Sequence, residues 1–393
     1  MFLESGRGLE SGRDAWVANF SARRLRQNME STIGVYEADR SHGGERTLDP
    51  SAISWTATLQ SSLRRGLGTS FSLDAVTTGL YRPFTKVVRY VDSVWTHRTG
   101  QTLRSFPTRN HPNRGFTLTG AASHYDFCLI STEAAPDLHL LDTGHFFARW
   151  RYDSVVPTDG LLELEAGVGE VVDGYRKIDN ITDQALTHFQ TAYGESFAKD
   201  DIFYYVYGVL HSPDYRETYA ADLKKSLPRI PLVGDATPFV EAGRKLSELH
   251  LGYETVEPYP LDGLETELGS ADPYQFYRVA KMKFAKVRDP ESKKLVAEKS
   301  TVIYNTQITL SGIPEAAHRY MLGSRSAIEW IIDRYRVKTD KQSGIVNDPN
   351  DWSLEVEDPR YIIDLLARIV TVSLETMAIV DSLPALDIRD TQG

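Results

Sequence analysis

Apolar positions recur at helical spacing in residues 13–38, RDAWVANFSARRLRQNMESTIGVYEA. Leu25, Met29, Ile33 and Tyr36 share one face, and Ser21 stands where an N-cap is needed. Arg23, Arg24 and Arg26 lie on the other side, a pattern that reads first as a solvated basic face. Residues 53–120 break into short runs. In GLYRPFTKVVRYVD a turn at Arg82-Pro83 precedes a strand through Val87, Val88, Tyr90 and Val91. Residues 121–165 continue as short strands and end in HFFARWRYD. GVGEVVDG, Gly167 to Gly174, lacks the preceding strand and third glycine of a phosphate loop, so it reads as a turn.

The second half is more regular. Residues 183–197 predict a helix, and Asp200 or Asp201 can cap the next, which carries Phe203, Val206, Tyr207 and Leu210. Ser212-Pro213 stops that helix and starts another with Tyr215, Tyr219, Leu223 and Leu227 four apart. The stretch from 200 to 233 is therefore a tyrosine-rich helical hairpin, and scaffold is its favoured role. Residues 273–312 change period: Ala280, Met282 and Phe284 alternate with Lys281 and Lys283, RDPESKK turns the chain, and LVAEKSTVIYNTQITL returns. Such a basic ribbon suits a major groove or a lysine-protected sheet edge. Ser326 and Glu329 form a capping box ahead of Ile328, Ile331, Ile332 and Tyr335, and residues 359–383 predict a closing helix.

The expected class is α+β: a mixed short-strand and loop N-terminal half, a helical hairpin in the middle, then a β-hairpin and C-terminal helices. At 393 residues the chain can hold two or three cores. No apolar run is long enough to span a bilayer, so no membrane partner is expected. Cys128 is the lone cysteine, which excludes an internal disulfide or a cysteine zinc cluster and makes a reducing cytoplasm the simplest setting. The net charge of −10 is uneven. Up to Tyr125 there are 16 Lys and Arg against 10 Asp and Glu; after it, 28 against 44. An acidic total does not forbid a polyanion, provided the basic residues converge.

Candidate chemistry concentrates in two polar loops. Residues 97–114 carry Arg98, Arg104, Arg109, Asn110, Asn113 and Arg114 among Phe106 and Phe116. Residues 338–350 carry Lys338, Lys341, Ser343, Asn347 and Asn350. Arginine and asparagine in such loops suit phosphate clamping and base-edge contacts, or plain solvation. His139, Asp142 and His145 fit no recognised metal spacing. The sequence contains no G-x-x-x-x-G-K-S/T, no G-x-S-x-G, no H-E-x-x-H and no Asn-Pro-Pro-Tyr or Asp-Pro-Pro-Tyr. No catalytic residue or metal site is therefore expected on this chain.

Several long stretches together resemble one family. GRDAWVANFS, YRPFTK, ITDQALTHFQTAYG, DIFYYVYGVLHSPDYRETYAADLKKSLPRIPLV, EAGRKLSELHLGYE and SAIEWIIDRYRVKTDKQSGIVNDPNDW are similar, in order and spacing, to the C-terminal target-recognition region of Type ISP single-polypeptide restriction–modification enzymes. The resemblance implies a specificity part for double-stranded DNA, not catalytic alone, working with methyltransferase and motor domains in cis or in trans. S-adenosylmethionine, ATP and magnesium would belong to those other domains, with no cofactor on this chain. It also implies three blocks: residues 1–50 as the junction with the methyltransferase part, 51–180 as a mixed first part of the specificity region, and 181–393 as its helical and β-hairpin remainder. The DNA-contacting set expected is Arg82, Lys86, Arg98, Arg104, Arg109, Asn110, Arg114, Lys224, Lys225, Lys338, Lys341 and Asn347. A protein-interaction scaffold without DNA affinity is the alternative that the acidic segment favours.

Overall fold

The computed structural model describes residues 1–121, 123–155, 169–269 and 272–389. Its α+β chain divides into two compact units, each built from separated segments. The first comprises Met1–Leu9, Thr99–Leu251 and Ala378–Gly393; the second comprises Glu10–Arg98 and Gly252–Met377.

The first unit is organised around an antiparallel sheet in the order Gly6–Arg7, His145–Ala148, Gly115–Leu118, Leu129–Thr132. The strands between Gly115 and Thr132 are buried along their whole length. Helix Lys199–His211 seals the sheet: Phe116 lies 5.4 Å from Phe203 and 5.6 Å from Tyr207 between ring centroids, and the Tyr207 hydroxyl accepts the Ser131 N–H. Tyr204, Tyr205, Tyr207 and Tyr215 are all essentially inaccessible to solvent. They supply apolar area, and their hydroxyls find partners: Tyr205 donates to the Pro231 carbonyl and Tyr215 to the Arg229 carbonyl. The hairpin read from the sequence is present with two differences. Its second arm is broken at Tyr219 into Pro213–Thr218 and Ala220–Leu223, and the main packing partner of Lys199–His211 is helix Thr237–Leu251. A smaller sheet, Val171–Val172, Tyr175–Asp179 and Trp150–Ser154, completes this unit. Asp173 and Gly174, at φ 45° and 78°, make its two-residue turn. Gly167 and Val168 of the turn read from sequence lie outside the described residues.

In the second unit, helix Ala22–Ser41 begins at Ser21, whose hydroxyl accepts the Arg24 N–H, and it buries Leu25, Met29, Ile33 and Tyr36 as the periodicity requires. Strands Val76–Arg82 and Thr85–Tyr90 form a hairpin around Pro83-Phe84, and Ala18–Asn19 pairs with the second strand. Tyr335 donates its hydroxyl to the Phe84 carbonyl, tying helix Ala327–Arg334 to that turn. The Ser326–Glu329 capping box is closed both ways: Ser326 N–H donates to Glu329 Oε2 at 2.8 Å, and Glu329 N–H to Ser326 Oγ at 3.3 Å. Helix Tyr361–Asp381 carries Ile362, Ile363, Leu365, Leu366, Ile369 and Val370, all buried. Strands Lys283–Arg288 and Leu295–Ile303 form the expected basic hairpin, with Thr309–Leu310 beside the second. No helix among the described residues is long and apolar enough to cross a membrane.

Candidate nucleic-acid interface

Helix Ala327–Arg334 ends at Tyr335, where the backbone turns extended, and this local change builds the site. In DRYRVK, Arg334, Arg336 and Lys338 then alternate with Tyr335 and Val337. Successive side chains of extended chain point to opposite sides. Tyr335 is fully buried, so the cations are left on the open side. They line a cleft of about 130 Å³ with Asp14, Tyr81, Thr85, Asp333, Asp340 and Asn347, all within the second unit.

Charge in the cleft is partly cross-braced. Asp333 is 2.7 Å from Arg334, 3.5 Å from Arg336 and 3.9 Å from Arg325. Arg325 and Arg334 also approach the Trp330 ring, at 5.0 and 5.3 Å from its centroid. Burial lowers the Arg334 guanidinium from its ordinary value, opposed by Asp333. Across the cleft, Arg82 lies over the Tyr81 ring at 4.0 Å, and the Tyr81 hydroxyl donates to Asp14 at 3.0 Å. Burial pushes the Asp14 carboxyl up, but Arg89, Ser11, Arg82 and Tyr81 together hold it below the usual carboxylate range. Asp14 thus stays ionised and accepts from Ser11 and Tyr81. The lining is balanced in charge, with Arg334, Arg336 and Lys338 against Asp14, Asp333 and Asp340, and the charges of Arg82 and Arg325 act on Arg334 from beside it.

The strands Lys338–Thr339 and Val346–Asn347 form one wall. Lys338 is paired in register with Asn347, whose Oδ1 accepts the Phe20 N–H at 3.1 Å. Asn19 returns a hydrogen bond to the Val346 carbonyl at 3.3 Å. Asp340 caps the turn by accepting from Ser343 and Gln342, which leaves Lys341 exposed at its tip.

The structure separates the sequence-read residues. Lys338 and Asn347 come together at the cleft, with Arg82 over the ring of its lining residue Tyr81 and Lys341 on the same hairpin as Lys338. Lys86 instead reaches Glu254 at 2.6 Å, and Arg98 pairs with Glu10 at 3.1 Å. The remaining candidates belong to the first unit. Arg104 is held between Glu4 and Asp153, the latter at 2.5 Å, and the Asp153 hydrogen bond leads the effects that raise its pKa. Asn110 donates to Asp173 at 2.8 Å, and Arg114 stands 4.0 Å from Asp200. Lys224 is 3.8 Å from Asp126. Arg109 and Lys225 are exposed and make no ion pair among the described residues. Asn113 is buried and donates to the Ser105 and Trp150 carbonyls. Arg334 and Arg336 were missed by reading the sequence for loops; the R-x-R-x-K alternation just after a helix was the available signal.

Elsewhere, Asp142 accepts from Ser123 and His124, while His145 bonds Ser5. Among the described residues no group of His, Cys, Asp and Glu is placed to hold a metal ion.

The comparisons with known proteins say which class of domain this fold and cleft belong to. The Type ISP C-terminal specificity domain family matches residues 1–365, and the chain belongs to that family. Among solved structures, the ATP-dependent Type ISP restriction-modification enzyme LlaBIII bound to DNA is 33% identical with a TM-score of 0.82, over 99% of this chain and 24% of that one. A nuclease-deletion mutant of the Type ISP enzyme LlaGI in complex with a DNA substrate mimic is 33% identical with a TM-score of 0.79, over 99% of this chain and 28% of that one. A DrdV–DNA complex is 30% identical with a TM-score of 0.79, over 98% of this chain and 36% of that one. This chain therefore spans about a quarter to a third of the length of the solved chains it matches. No curated protein matches it.

Proposed function

We propose that the chain recognises a target sequence in double-stranded DNA as the specificity part of a restriction–modification enzyme. The observation that carries this reading is the convergence of Arg334, Arg336 and Lys338 on one cleft, with Arg82 over the Tyr81 ring beside it, in a chain of net charge −10 whose structural relatives are DNA complexes. Arginine and lysine there hold phosphate and fix register. Exposed Arg109 and Asn110 in one unit, and exposed Lys341 with half-buried Asn347 in the other, are the candidates for base contacts.

On this reading the chain binds and orients, and the chemistry belongs to the rest of the enzyme, in cis or in trans. A methyltransferase acting on an adenine must extrude it from the stack, so a firmly held flanking duplex is what a specificity part contributes. Residues 1 to 50 form the junction with that methyltransferase part. S-adenosylmethionine, ATP and magnesium bind to those other parts, and the cytoplasm is where they would meet.

Anisotropy of a fluorescent mixed-sequence duplex, titrated over a range of salt, tests the reading. A DNA reader loses affinity steeply as salt rises, because each phosphate contact releases condensed counterions. Arg336→Ala and Lys338→Ala each lower affinity, with the salt slope falling by about 0.9 per lost contact. Absence of salt-dependent binding overturns the proposal and favours an acidic protein-interaction scaffold, the alternative suggested by the charge after Tyr125.

A further inference from the structure

The hairpin Lys283–Arg288/Leu295–Ile303 is strongly cationic. From Lys281 to Lys299 the chain carries seven Lys and Arg against three Asp and Glu, a net +4 within a chain of −10. Among the described residues, Lys299 alone of these is taken up in an ion pair, with Glu329 at 3.0 Å. Lys281, Lys283, Lys286, Lys293 and Lys294 are exposed and make no ion pair among the described residues. Arg288 donates to the Lys293 carbonyl at 3.4 Å and so braces the turn.

Edge protection explains charges on the outer strand alone. It does not explain Lys293 and Lys294 in the turn, nor the apolar side chains left uncovered beside them. Val287, Leu295 and Val296 are 44%, 62% and 41% exposed. Val287 pairs directly with Val296, and Lys286 and Arg288 sit opposite Ala297 and Leu295. Residues facing each other across a ladder point to the same side. One face of the ribbon thus carries Val287, Val296, Ala285 and Glu298, and on the other Lys286 and Arg288 flank Ala297 and Leu295. Its six-residue strand is roughly 20 Å long at the usual rise per residue. A two-stranded ribbon fits the major groove, where apolar side chains meet thymine methyl groups and flanking lysines reach phosphates.

The root of the ribbon joins the cleft. Lys281 forms an isolated antiparallel bridge with Arg336, and the Val337 N–H donates to the Ala280 carbonyl at 2.9 Å. The root of the hairpin and the extended segment that lines the cleft therefore abut within one unit. We infer that this hairpin is a second DNA-contacting arm, lying in the major groove beside the duplex segment held at the cleft and gripping its phosphates through Lys283, Lys286, Lys293 and Lys294. The inference rests on the DNA reading of the cleft. Lysine is a point charge on a flexible stem, so the arm contributes affinity for any sequence and leaves base choice to other residues.

The test compares the parent chain with two variants carrying Gln or Arg at positions 283, 286, 293 and 294, using a fluorescent mixed-sequence duplex and circular dichroism to check the fold. The Gln variant should bind at least tenfold more weakly, with a salt slope smaller by about 3 to 4, since each phosphate contact is worth about 0.9. The Arg variant should keep the parental slope. A Gln variant with the parental slope removes the arm from the interface while the cleft reading stands. An Arg variant as weak as the Gln variant shows that charge is not what the positions supply, and overturns the arm. A parent chain with no salt-dependent binding sinks the arm and the DNA reading together.

Discussion

Gly208 and Gly243 face each other across helices Lys199–His211 and Thr237–Leu251 with no room for a side chain on either. A Cβ on Gly208 would stand 2.0 Å from the Phe239 carbonyl oxygen, and one on Gly243 would stand 1.9 Å from the Tyr204 carbonyl oxygen. The neighbours are backbone atoms and cannot rotate away. In a free helix, alanine for glycine stabilises by up to about 1 kcal/mol, so propensity and packing predict opposite signs here. Packing wins: Gly208→Ala or Gly243→Ala should destabilise by about 3 kcal/mol as the helices are forced apart. Urea unfolding of the two variants measures it, and a gain in stability would refute the close approach.

That contact also marks where sequence reading stops. Periodicity exposed the buried stripe of Ala22–Ser41 and the capping box at Ser326, because both are local and their signals lie within a few residues. The helix Lys199–His211 shows the limit. The sequence pattern predicts Asp200 or Asp201 as its cap, but the helix begins at Lys199 with Ala198 as its N-cap, and Asp201 reaches back to accept the Ala198 N–H at 2.9 Å. Its main partner is chosen by Gly243, a glycine that reads in sequence only as a weak point in a helix. Ion pairing is still less legible. Arg104 finds Glu4 a hundred residues away, so the sign of a residue is readable but its neutralisation is not.

The buried pair His211 and His250 makes stability depend on pH. Their rings lie 5.7 Å apart, Tyr207 bonds His250 Nδ1 at 2.6 Å, and His211 Nδ1 donates to the Tyr207 carbonyl at 2.8 Å. Burial, with Arg216 adding to it, lowers His250 to about 3 and His211 well below its ordinary value. Both are therefore neutral in the fold, while in the unfolded chain they take up protons near pH 6.5. The unfolded state binds more protons between those limits, so the histidines favour folding fully above pH 6.5 and progressively less as pH falls towards 3. Between pH 6 and 5 the loss should approach about 1.4 kcal/mol per pH unit for each histidine. His250→Gln keeps an acceptor for Tyr207 and should halve that slope in urea titrations. An unchanged slope would assign the pH dependence to other groups.

The capping box couples stability to the cleft. Ser326 satisfies the Glu329 N–H at the start of Ala327–Arg334, and Arg334, Asp333 and Arg336 stand at the other end of the same short helix. Ser326→Ala should cost about 1 kcal/mol, and Ser326→Thr should restore most of it. Because fraying shifts the arginines rather than removing them, duplex affinity should fall in Ser326→Ala with the salt slope retained. A variant that loses slope as well as affinity would place Ser326 itself among the contacts.

Arg104 and Arg109 lie five residues apart and should behave differently. Arg104 bonds Glu4 and Asp153, and Arg151 bonds the same two carboxylates, at 3.2 and 2.6 Å. Its charge is already spent on two partners within its own unit. Arg109 is exposed and carries no ion pair among the described residues. Arg104→Ala should therefore lower the melting temperature, at a cost of about 1 kcal/mol for one member of a partly exposed network, and leave duplex affinity unchanged. Arg109→Ala should leave melting unchanged and weaken binding. A phosphate contact lowers affinity for all sequences alike and reduces the salt slope by about 0.9; a guanine contact costs about 1–3 kcal/mol at one base position. Thermal melts and anisotropy on the same two variants separate these outcomes. If Arg104→Ala weakens binding without lowering stability, the ion-pair network opens when the duplex arrives, and Arg104 joins the contacts.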